Sequence, residues 1–305
     1  MQVEKLTYDE YIDKGNTGRH ETFTPRYGWI KKGYEAIVND PNAFRAPDAI
    51  ERLGVGKNMV RSIQFWCKAF KLMENDKTNL SRMSLSKLGK KLLDNRGWDP
   101  YVEDVATLWL LHWQLFVPQL EAVNWNLAFN KCNLWSFDIK QLGSLLFNIS
   151  QRYKRLSGLS YNSYERDASC IIRMYVDEEG KDTEIECPFT QLGLLYRTEE
   201  LNSVAFNMNE KTTLPELIFA AACFSYLASY APGQKTISLQ RLAYEFNSPG
   251  VAFKISETTV GSYLNHIDQK LKGVALVDSI GTLQLHLERD AEELYWEALE
   301  KYYAE

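Results

Sequence analysis

The chain has 305 residues, of which 45% are hydrophobic and 25% charged, a composition that predicts a soluble globular protein of two or three domains. No apolar run approaches the roughly 20 residues of a transmembrane helix, and the first residues do not resemble a signal peptide. The five cysteines are scattered and lack metal-ligand spacing, which argues against a zinc site and predicts reduced thiols in a cytoplasmic protein.

The net charge of −5 is unevenly distributed along the chain. Residues 14–96 carry 17 basic and 8 acidic side chains, a net of +9. Residues 1–13 carry one lysine and four acids, and residues 97–305 carry 17 basic and 28 acidic side chains. A basic stretch on an acidic body is typical of a nucleic-acid-binding face. A solvated lysine surface is the alternative, and the order of the predicted elements argues against it.

Residues 20–34 (HETFTPRYGWIKKGY) bring together a histidine, a carboxylate, three cations and four aromatic side chains. A histidine can act as a general base because its pKa lies near neutrality, and carboxylate oxygens are ligands that Mg²⁺ prefers. One hypothesis makes His20 a general base or metal ligand and Glu21 a metal ligand, with Arg26 holding a phosphate.

The alternative interpretation is structural. In it, the same block packs the basic domain: Phe23, Trp29 and Tyr34 lie in the core and Glu21 pairs with Arg26. No PD-(D/E)xK, HNH or GIY-YIG nuclease pattern is present in the chain, so the catalytic hypothesis depends on the local chemistry of residues 20–34 alone.

The next segment predicts a helix-turn-helix. Residues 48–53 form a short helix closed by Gly54, and a longer helix runs from Lys57 to Met73. At 100° per residue, one face of the longer helix is apolar and the other is polar, cationic and free of acids. The members of the polar face are Lys57, Arg61, Gln64, Lys68 and Lys71.

A strand at residues 80–85 and a helix at residues 86–94 follow, which completes the order of a winged helix. We therefore expect the longer helix to contact DNA as a recognition helix. The further expected DNA contacts are Lys31, Lys32, Asn58, Lys87 and Lys90. A structural or partner-binding winged helix is the alternative.

Asp99 and Pro100 predict the start of an apolar helix that runs to Phe116, with Asp99 as its cap and proline at its first position. Asp99 and Glu103 lie one helical turn apart and could share a cation, but capping explains Asp99 more simply. The nearby tryptophans, at positions 98, 109, 113 and 125, are expected in the core.

The fold class predicted is mainly α with small β wings, arranged as tandem winged-helix-like modules. Residues 1–125 form the basic DNA-binding domain, and residues 126–210 form a middle helical domain with short strands. In the middle domain, residues 177–186 are an acidic loop. Arg166 and Asp167 are either a third polar element of the site or an ion pair on one helix, and the ion pair is favoured. Residues 211–305 form a winged-helix-like domain whose acidic surface favours protein contact or dimerisation.

Five segments resemble the SspB family of bacterial single-strand DNA phosphorothioation systems. They are residues 20–34, 53–60 (LGVGKNMV), 98–101 (WDPY), 166–167 (RD) and 187–194 (CPFTQLGL). The resemblance implies a DNA nicking endonuclease that acts on double-stranded DNA before sulfur incorporation, in antiviral defence. It also implies partners: a cysteine desulfurase and the ATP-using sulfur-transfer and ATPase components of the same system.

Two classes of function follow. The first is a nickase whose divalent metal, Mg²⁺ or Mn²⁺, is held by Glu21 and Asp99, with His20, Glu21 and Arg26 as the catalytic residues. The second is a non-catalytic DNA-binding adaptor that recruits the sulfur-transfer machinery. Both predict DNA affinity that falls steeply with salt, no membrane contact, and possible homodimerisation.

Overall fold

The computed structural model describes residues 7–76, 78–79, 82–176 and 187–304. Over these ranges the protein is mainly α-helical, with two antiparallel hairpins and one three-stranded antiparallel sheet, which confirms the coarse fold class. None of the described helices is long and apolar enough to cross a bilayer. The predicted acidic loop at residues 177–186 lies outside the described residues.

One continuous apolar cluster contains buried side chains from the N-terminal, middle and C-terminal parts of the chain. The five cysteines are free and buried. The division into three domains at residues 125 and 210 stays a prediction, because the same cluster passes through all three.

The N-terminal part contains α1 (Tyr8–Asp13), α2 (Trp29–Asn39), α3 (Ala49–Leu53), α4 (Lys57–Ala69), a hairpin of β1 (Met73–Asn75) and β2 (Met83–Leu85), and α5 (Lys87–Leu93). Gly54 ends α3 in the left-handed region at a φ of 62°. The predicted longer helix ends four residues early, because Lys71 also lies in the left-handed region, at a φ of 56°. The predicted strand begins at Met83, and residues 80–81 lie outside the described residues.

The prediction that a helix begins at Asp99 and Pro100 is wrong. The helix α6 spans Val105–Gln114, and Asp104 caps it by accepting the backbone N–H of Ala106 at 2.8 Å. Asp99 instead accepts the backbone N–H groups of Glu103 and Asp104, at 3.0 and 3.1 Å. Val102 between them has a φ of 58°, which no α-helix can contain.

The middle part contains α7 (Val123–Lys131), α8 (Ile139–Ser150), α9 (Tyr161–Tyr175) and a hairpin of β3 (Leu195–Arg197) and β4 (Val204–Phe206). The helices α8 and α9 pack along each other, and Gly143 permits this because a Cβ there would meet the Glu165 backbone at about 3.1 Å. A 3₁₀ turn occupies residues 188–192, and β3 begins after it, at Leu195.

The C-terminal part contains α10 (Glu216–Tyr230), β5 (Thr236–Ser238), α11 (Leu239–Tyr244), α12 (Pro249–Phe253), α13 (Glu257–Leu264), α14 (Ile267–Lys270), β6 (Val274–Ser279), β7 (Thr282–Leu287) and α15 (Ala291–Ala304). The sheet order is β5-β7-β6, all antiparallel. Ser256 caps α13, which ends at Leu264, and α14 begins at Ile267. The helix α15 packs along α10.

The acidic C-terminal helix also contacts the basic N-terminal part. Lys91 on α5 forms an ion pair with Glu300 at 2.7 Å, and the Lys87 ammonium lies 3.9 Å from the centre of the Trp296 ring. The Trp98 ring stacks on Tyr303 with their centres 5.0 Å apart. Charged and aromatic contacts therefore join α15 to residues 87–98 of the basic N-terminal part.

Candidate nucleic-acid interface and the adjoining His20–Asp167 pair

The helix α4 has the two faces that its sequence predicts. Val60, Ile63 and Trp66 are buried against the core, whereas Lys57 and Arg61 are exposed. Asn58 is also exposed, and Gln64 and Lys68 are half-buried. The accessible polar surface of α4 is therefore concentrated in its N-terminal half.

Three cations of the predicted polar face are engaged within the protein. Arg61 pairs with Glu21 at 3.4 Å, and Lys68 pairs with Glu121 at 3.2 Å. The Lys71 ammonium donates to the carbonyl of Gln119, and burial lowers the pKa of Lys71 to about 8. Among the described residues, Lys57 is the cation of this face for which no ion pair or side-chain hydrogen bond is seen.

The lysines of α2 hold the N-terminal part together. Lys31 is buried, and its ammonium donates to the carbonyl of Leu93 at 2.8 Å and to Oδ1 of Asn95 at 3.0 Å. Lys32 donates to the carbonyl of Leu53 at 2.8 Å. In this conformation both ammonium groups face protein carbonyls, so a phosphate contact by either would require new side-chain rotamers.

The lysines of α5 differ from one another. Lys87 and Lys90 are both exposed, but the Lys87 ammonium also lies against the Trp296 ring. The predicted DNA contacts with exposed side chains are thus Lys57, Asn58, Arg61, Lys87 and Lys90.

A buried polar pair lies next to this face. His20 is 2% exposed, and its Nε2 lies 2.8 Å from Oδ1 of Asp167 on α9, which is 3% exposed. The other oxygen of Asp167 accepts the side-chain amide of Asn124 at 2.7 Å and the backbone N–H of Gly18 at 3.3 Å. Nδ1 of His20 accepts the backbone N–H of Thr22 at 3.1 Å. Both ring nitrogens and both carboxylate oxygens therefore have partners.

The protonation of His20 follows from these partners. Burial lowers the pKa of His20, whereas the neighbouring Cys170 and the hydrogen bond with Asp167 raise it. These raising effects favour a second proton on the ring, but in this conformation the Thr22 N–H already occupies Nδ1. The Thr22 N–H at Nδ1 fits the neutral ring with its proton on Nε2, donated to Asp167. A second proton can bind only after Nδ1 has lost its bond to Thr22.

The segment that carries His20 has an unusual backbone. Gly18, Arg19, Glu21 and Thr22 all lie in the left-handed region, with φ between 50° and 66°. We name residues 18–22 the Glu21 loop. Three of its left-handed residues are not glycine, and such residues persist only where the surrounding structure holds them.

The structural interpretation of residues 20–34 is confirmed in part. Trp29 and Tyr34 are buried, and Phe23 packs against the core. Glu21 pairs with Arg61 rather than with Arg26. The Arg26 guanidinium instead lies 5.4 Å from the centre of the Phe23 ring and 5.3 Å from that of Trp29, as a cation–π contact.

The comparison with known proteins agrees with the sequence resemblance. The chain matches the family model described as "Protein of unknown function (DUF4007)" over residues 18–303. A solved structure described as "SspB crystal structure" is 33% identical to it, covers 96% of this chain and 90% of its own, and superposes with a TM-score of 0.89. The chain belongs to this SspB-like family.

A second SspB structure, described as "Magnesium ion-bound SspB crystal structure", is 31% identical, covers 97% of this chain and 90% of its own, and has a TM-score of 0.90. A search of curated proteins gave no match. The family assignment therefore depends on the family model and on two structures that follow the chain over nearly its whole length.

Glu21 and Asp99 are the residues predicted to hold a divalent metal, and one relative is a magnesium-bound SspB. Among the described residues, no group of three His, Cys, Asp or Glu side chains lies together as a metal site. Glu21 is already paired with Arg61, and both oxygens of Asp99 accept backbone N–H groups. A resident metal held by protein ligands alone does not fit the described residues.

Asp167 is the site residue that sequence reasoning misassigned. It was interpreted as the ion-pair partner of Arg166, but Arg166 is exposed whereas Asp167 points into the protein towards His20. The helical periodicity of α9 could have indicated the buried position of Asp167. Asp167 lies on the buried face, three residues after Tyr164 and four before Ile171. An acid in such an apolar stripe predicts a buried partner.

Proposed function

We propose that this SspB-like chain is the DNA-binding component of a bacterial DNA phosphorothioation system that serves antiphage defence. In this proposal it nicks one strand of double-stranded DNA before sulfur is incorporated. The observation that carries the proposal is the likeness to SspB structures over 96–97% of the chain. The cysteine desulfurase and the ATP-using components of the same system are its proposed partners.

The proposed DNA-binding element is α4 within a winged-helix-like module. The order α2, α3, α4 and the β1–β2 hairpin supports this proposal, because in a winged helix the third helix enters the major groove. Lys57, Asn58 and Arg61 would reach phosphates and base edges, because they are the exposed polar residues of the N-terminal half of α4. Lys90 would add a phosphate contact.

A second module of the same type is proposed for the C-terminal part. Its elements are α10, β5, α11, the short α12, α13, the short α14 and the β6–β7 hairpin, with β5 completing a three-stranded sheet. The exposed residues at the start of α13 include Glu257 and Thr258 but no cation, which favours a protein partner or a second copy over DNA.

Nicking requires a nucleophile, a base that activates it, and positive charge near the phosphate. His20 can supply the base only if its Nδ1 or Nε2 is released from Thr22 or Asp167. Arg26 is half-buried and within reach of solvent, so it would hold the phosphate. A divalent metal would bind mainly through DNA phosphate and water, with Glu21 as the protein ligand, which suits the hydration that Mg²⁺ retains.

The second candidate is the non-catalytic adaptor. A specific observation favours it: His20 is 2% exposed and both of its ring nitrogens are engaged. In this candidate the basic N-terminal part holds DNA and the acidic C-terminal part docks the sulfur-transfer components.

Conversion of supercoiled plasmid to open circle by the purified full chain separates the two candidates. The assay is run with Mg²⁺, with Mn²⁺ and with EDTA, beside Glu21→Ala and the exposed control Glu51→Ala. Metal-dependent nicking that is lost only in Glu21→Ala supports the nickase and places its site near residue 21. Salt-sensitive DNA binding without nicking supports the adaptor, and absence of both refutes the proposal.

A further inference from the structure

The Glu21 loop has a strained backbone that several hydrogen bonds hold in place. Four of its five residues lie in the left-handed region. Gly18 donates its N–H to Asp167, Thr22 donates its N–H to His20, and the carbonyl of Thr22 accepts a hydrogen bond from Arg173 on α9. All three contacts tie the loop to the buried pair or to α9.

The fourth contact has a different partner. Glu21 extends from the loop to Arg61, and the Glu21–Arg61 distance is 3.4 Å. Arg61 is 54% exposed and belongs to the proposed DNA-binding face of α4, whereas Glu21 is 29% exposed. One side chain of the loop thus neutralises a cation that DNA phosphate would also bind.

A DNA phosphate and the Glu21 carboxylate would compete for the Arg61 guanidinium. Guanidinium binds phosphate through two parallel N–H bonds, which are stronger than a single bond at 3.4 Å. A carboxylate left beside a bound phosphate is also repelled by it. Binding of DNA at Arg61 would therefore remove one contact that holds the loop and push Glu21 away from α4.

Movement of the Glu21 loop would disturb the buried His20–Asp167 pair. Glu21 is adjacent in the chain to His20, and both flanking N–H bonds, at Gly18 and Thr22, belong to the same loop. Asn124 is 1% exposed, and its Oδ1 has no hydrogen-bond partner in the described structure. The closed arrangement thus leaves one buried acceptor unsatisfied, which lowers the cost of opening it to water.

We propose that the Glu21–Arg61 ion pair is a latch through which DNA binding on α4 opens the Glu21 loop and exposes His20. The latch rests on the proposed DNA-binding function. It explains how a histidine that is closed off in the free protein becomes accessible only on DNA. In the adaptor candidate the same latch would expose the loop to a partner protein.

The size of the effect is set by the ion pair. Pairs between partly exposed side chains are weak, so loss of this one shifts the opening equilibrium by about two- to fivefold. The amides of Gly18 and Thr22 report that equilibrium, because each is protected by a bond that opening breaks.

Hydrogen exchange of the full-length chain, with and without a DNA duplex, tests the latch. DNA is expected to slow exchange along α4 and to speed exchange at Gly18 and Thr22 about two- to fivefold. If DNA merely covered the loop, hydrogen exchange there would slow, so faster exchange distinguishes opening of the loop from shielding by DNA. Unchanged or slower exchange at both amides, under conditions where DNA binds, refutes the latch and leaves the proposed function standing.

The variant Glu21→Gln tests the ion pair without DNA. Exchange at Gly18 and Thr22 is expected to rise by the same factor in the free variant, and DNA is expected to add nothing further. The control Glu51→Gln removes an exposed acid from α3 and should behave as the unchanged chain. If free Glu21→Gln exchanges like the control, the pair does not hold the loop and the latch is wrong. If neither the unchanged chain nor either variant binds DNA, the proposed function itself is refuted.

Discussion

Replacement of Asp167 by alanine should be the most damaging single change near the site. Asp167 is 3% exposed and accepts hydrogen bonds from His20, Asn124 and Gly18, at 2.8, 2.7 and 3.3 Å. Each buried donor left without an acceptor costs about 1–3 kcal/mol, and the substitution leaves three donors without their acceptor. We expect Asp167→Ala to lower the free energy of unfolding by about 3–5 kcal/mol.

Urea unfolding followed by circular dichroism measures this change through the midpoint at constant slope. The matched control is Arg166→Ala, the adjacent exposed residue, which should change stability by less than about 0.5 kcal/mol. If Asp167→Ala does not fold, Asp167→Asn, which keeps one acceptor oxygen, should fold and lose about 1–2 kcal/mol. Equal small losses in Asp167→Ala and Arg166→Ala would refute the buried network and restore the simple ion pair.

Three further predictions concern charge. Lys57→Ala should weaken DNA binding and reduce the slope of log affinity against log salt by about 1 in a titration. Lys71→Ala should leave that slope unchanged, because the Lys71 ammonium already donates to the carbonyl of Gln119. Glu21→Gln should raise DNA affinity about two- to fivefold in the same titration, because it frees a guanidinium, and equal affinity would contradict the pairing. Burial lowers the pKa of His112 to about 4, so below about pH 6.5 the unfolded chain binds a proton that the folded chain excludes. The free energy of unfolding should therefore fall by up to about 3 kcal/mol from pH 6.5 to 4. The neutral replacement His112→Gln should flatten this pH dependence of stability, measured by urea unfolding.

The amphipathic helices were predictable from periodicity, because one buried face repeats at the helical spacing. In α4 this gave both the buried residues, such as Trp66, and the exposed Lys57 and Arg61. It could not give the end of the helix, which depends on the left-handed conformation of Lys71 and on the Gln119 carbonyl that its ammonium meets. That carbonyl lies 48 residues away in the chain, and no local pattern reports it.

The partners of charged groups were the least predictable part. Asp99 followed by proline has the local signature of a helix start, yet its carboxylate closes a loop in which Val102 has a positive φ. Glu21 was expected to pair with Arg26, five residues away, but it meets Arg61 across the fold. Local patterns describe which groups are charged, whereas tertiary contacts decide which of them meet.

The contact between α5 and α15 has a consequence for how the protein is made. Lys91 and Glu300 are separated by 209 positions in the chain. Trp98 and Tyr303, whose rings stack, are separated by a similar length of chain. At about 5–20 residues per second, ribosomal synthesis takes roughly 10–40 s to cover that distance. Throughout that interval the nascent basic part presents an uncovered tryptophan and unpaired lysines, so it is open to chaperones or nucleic acid before its own last helix arrives.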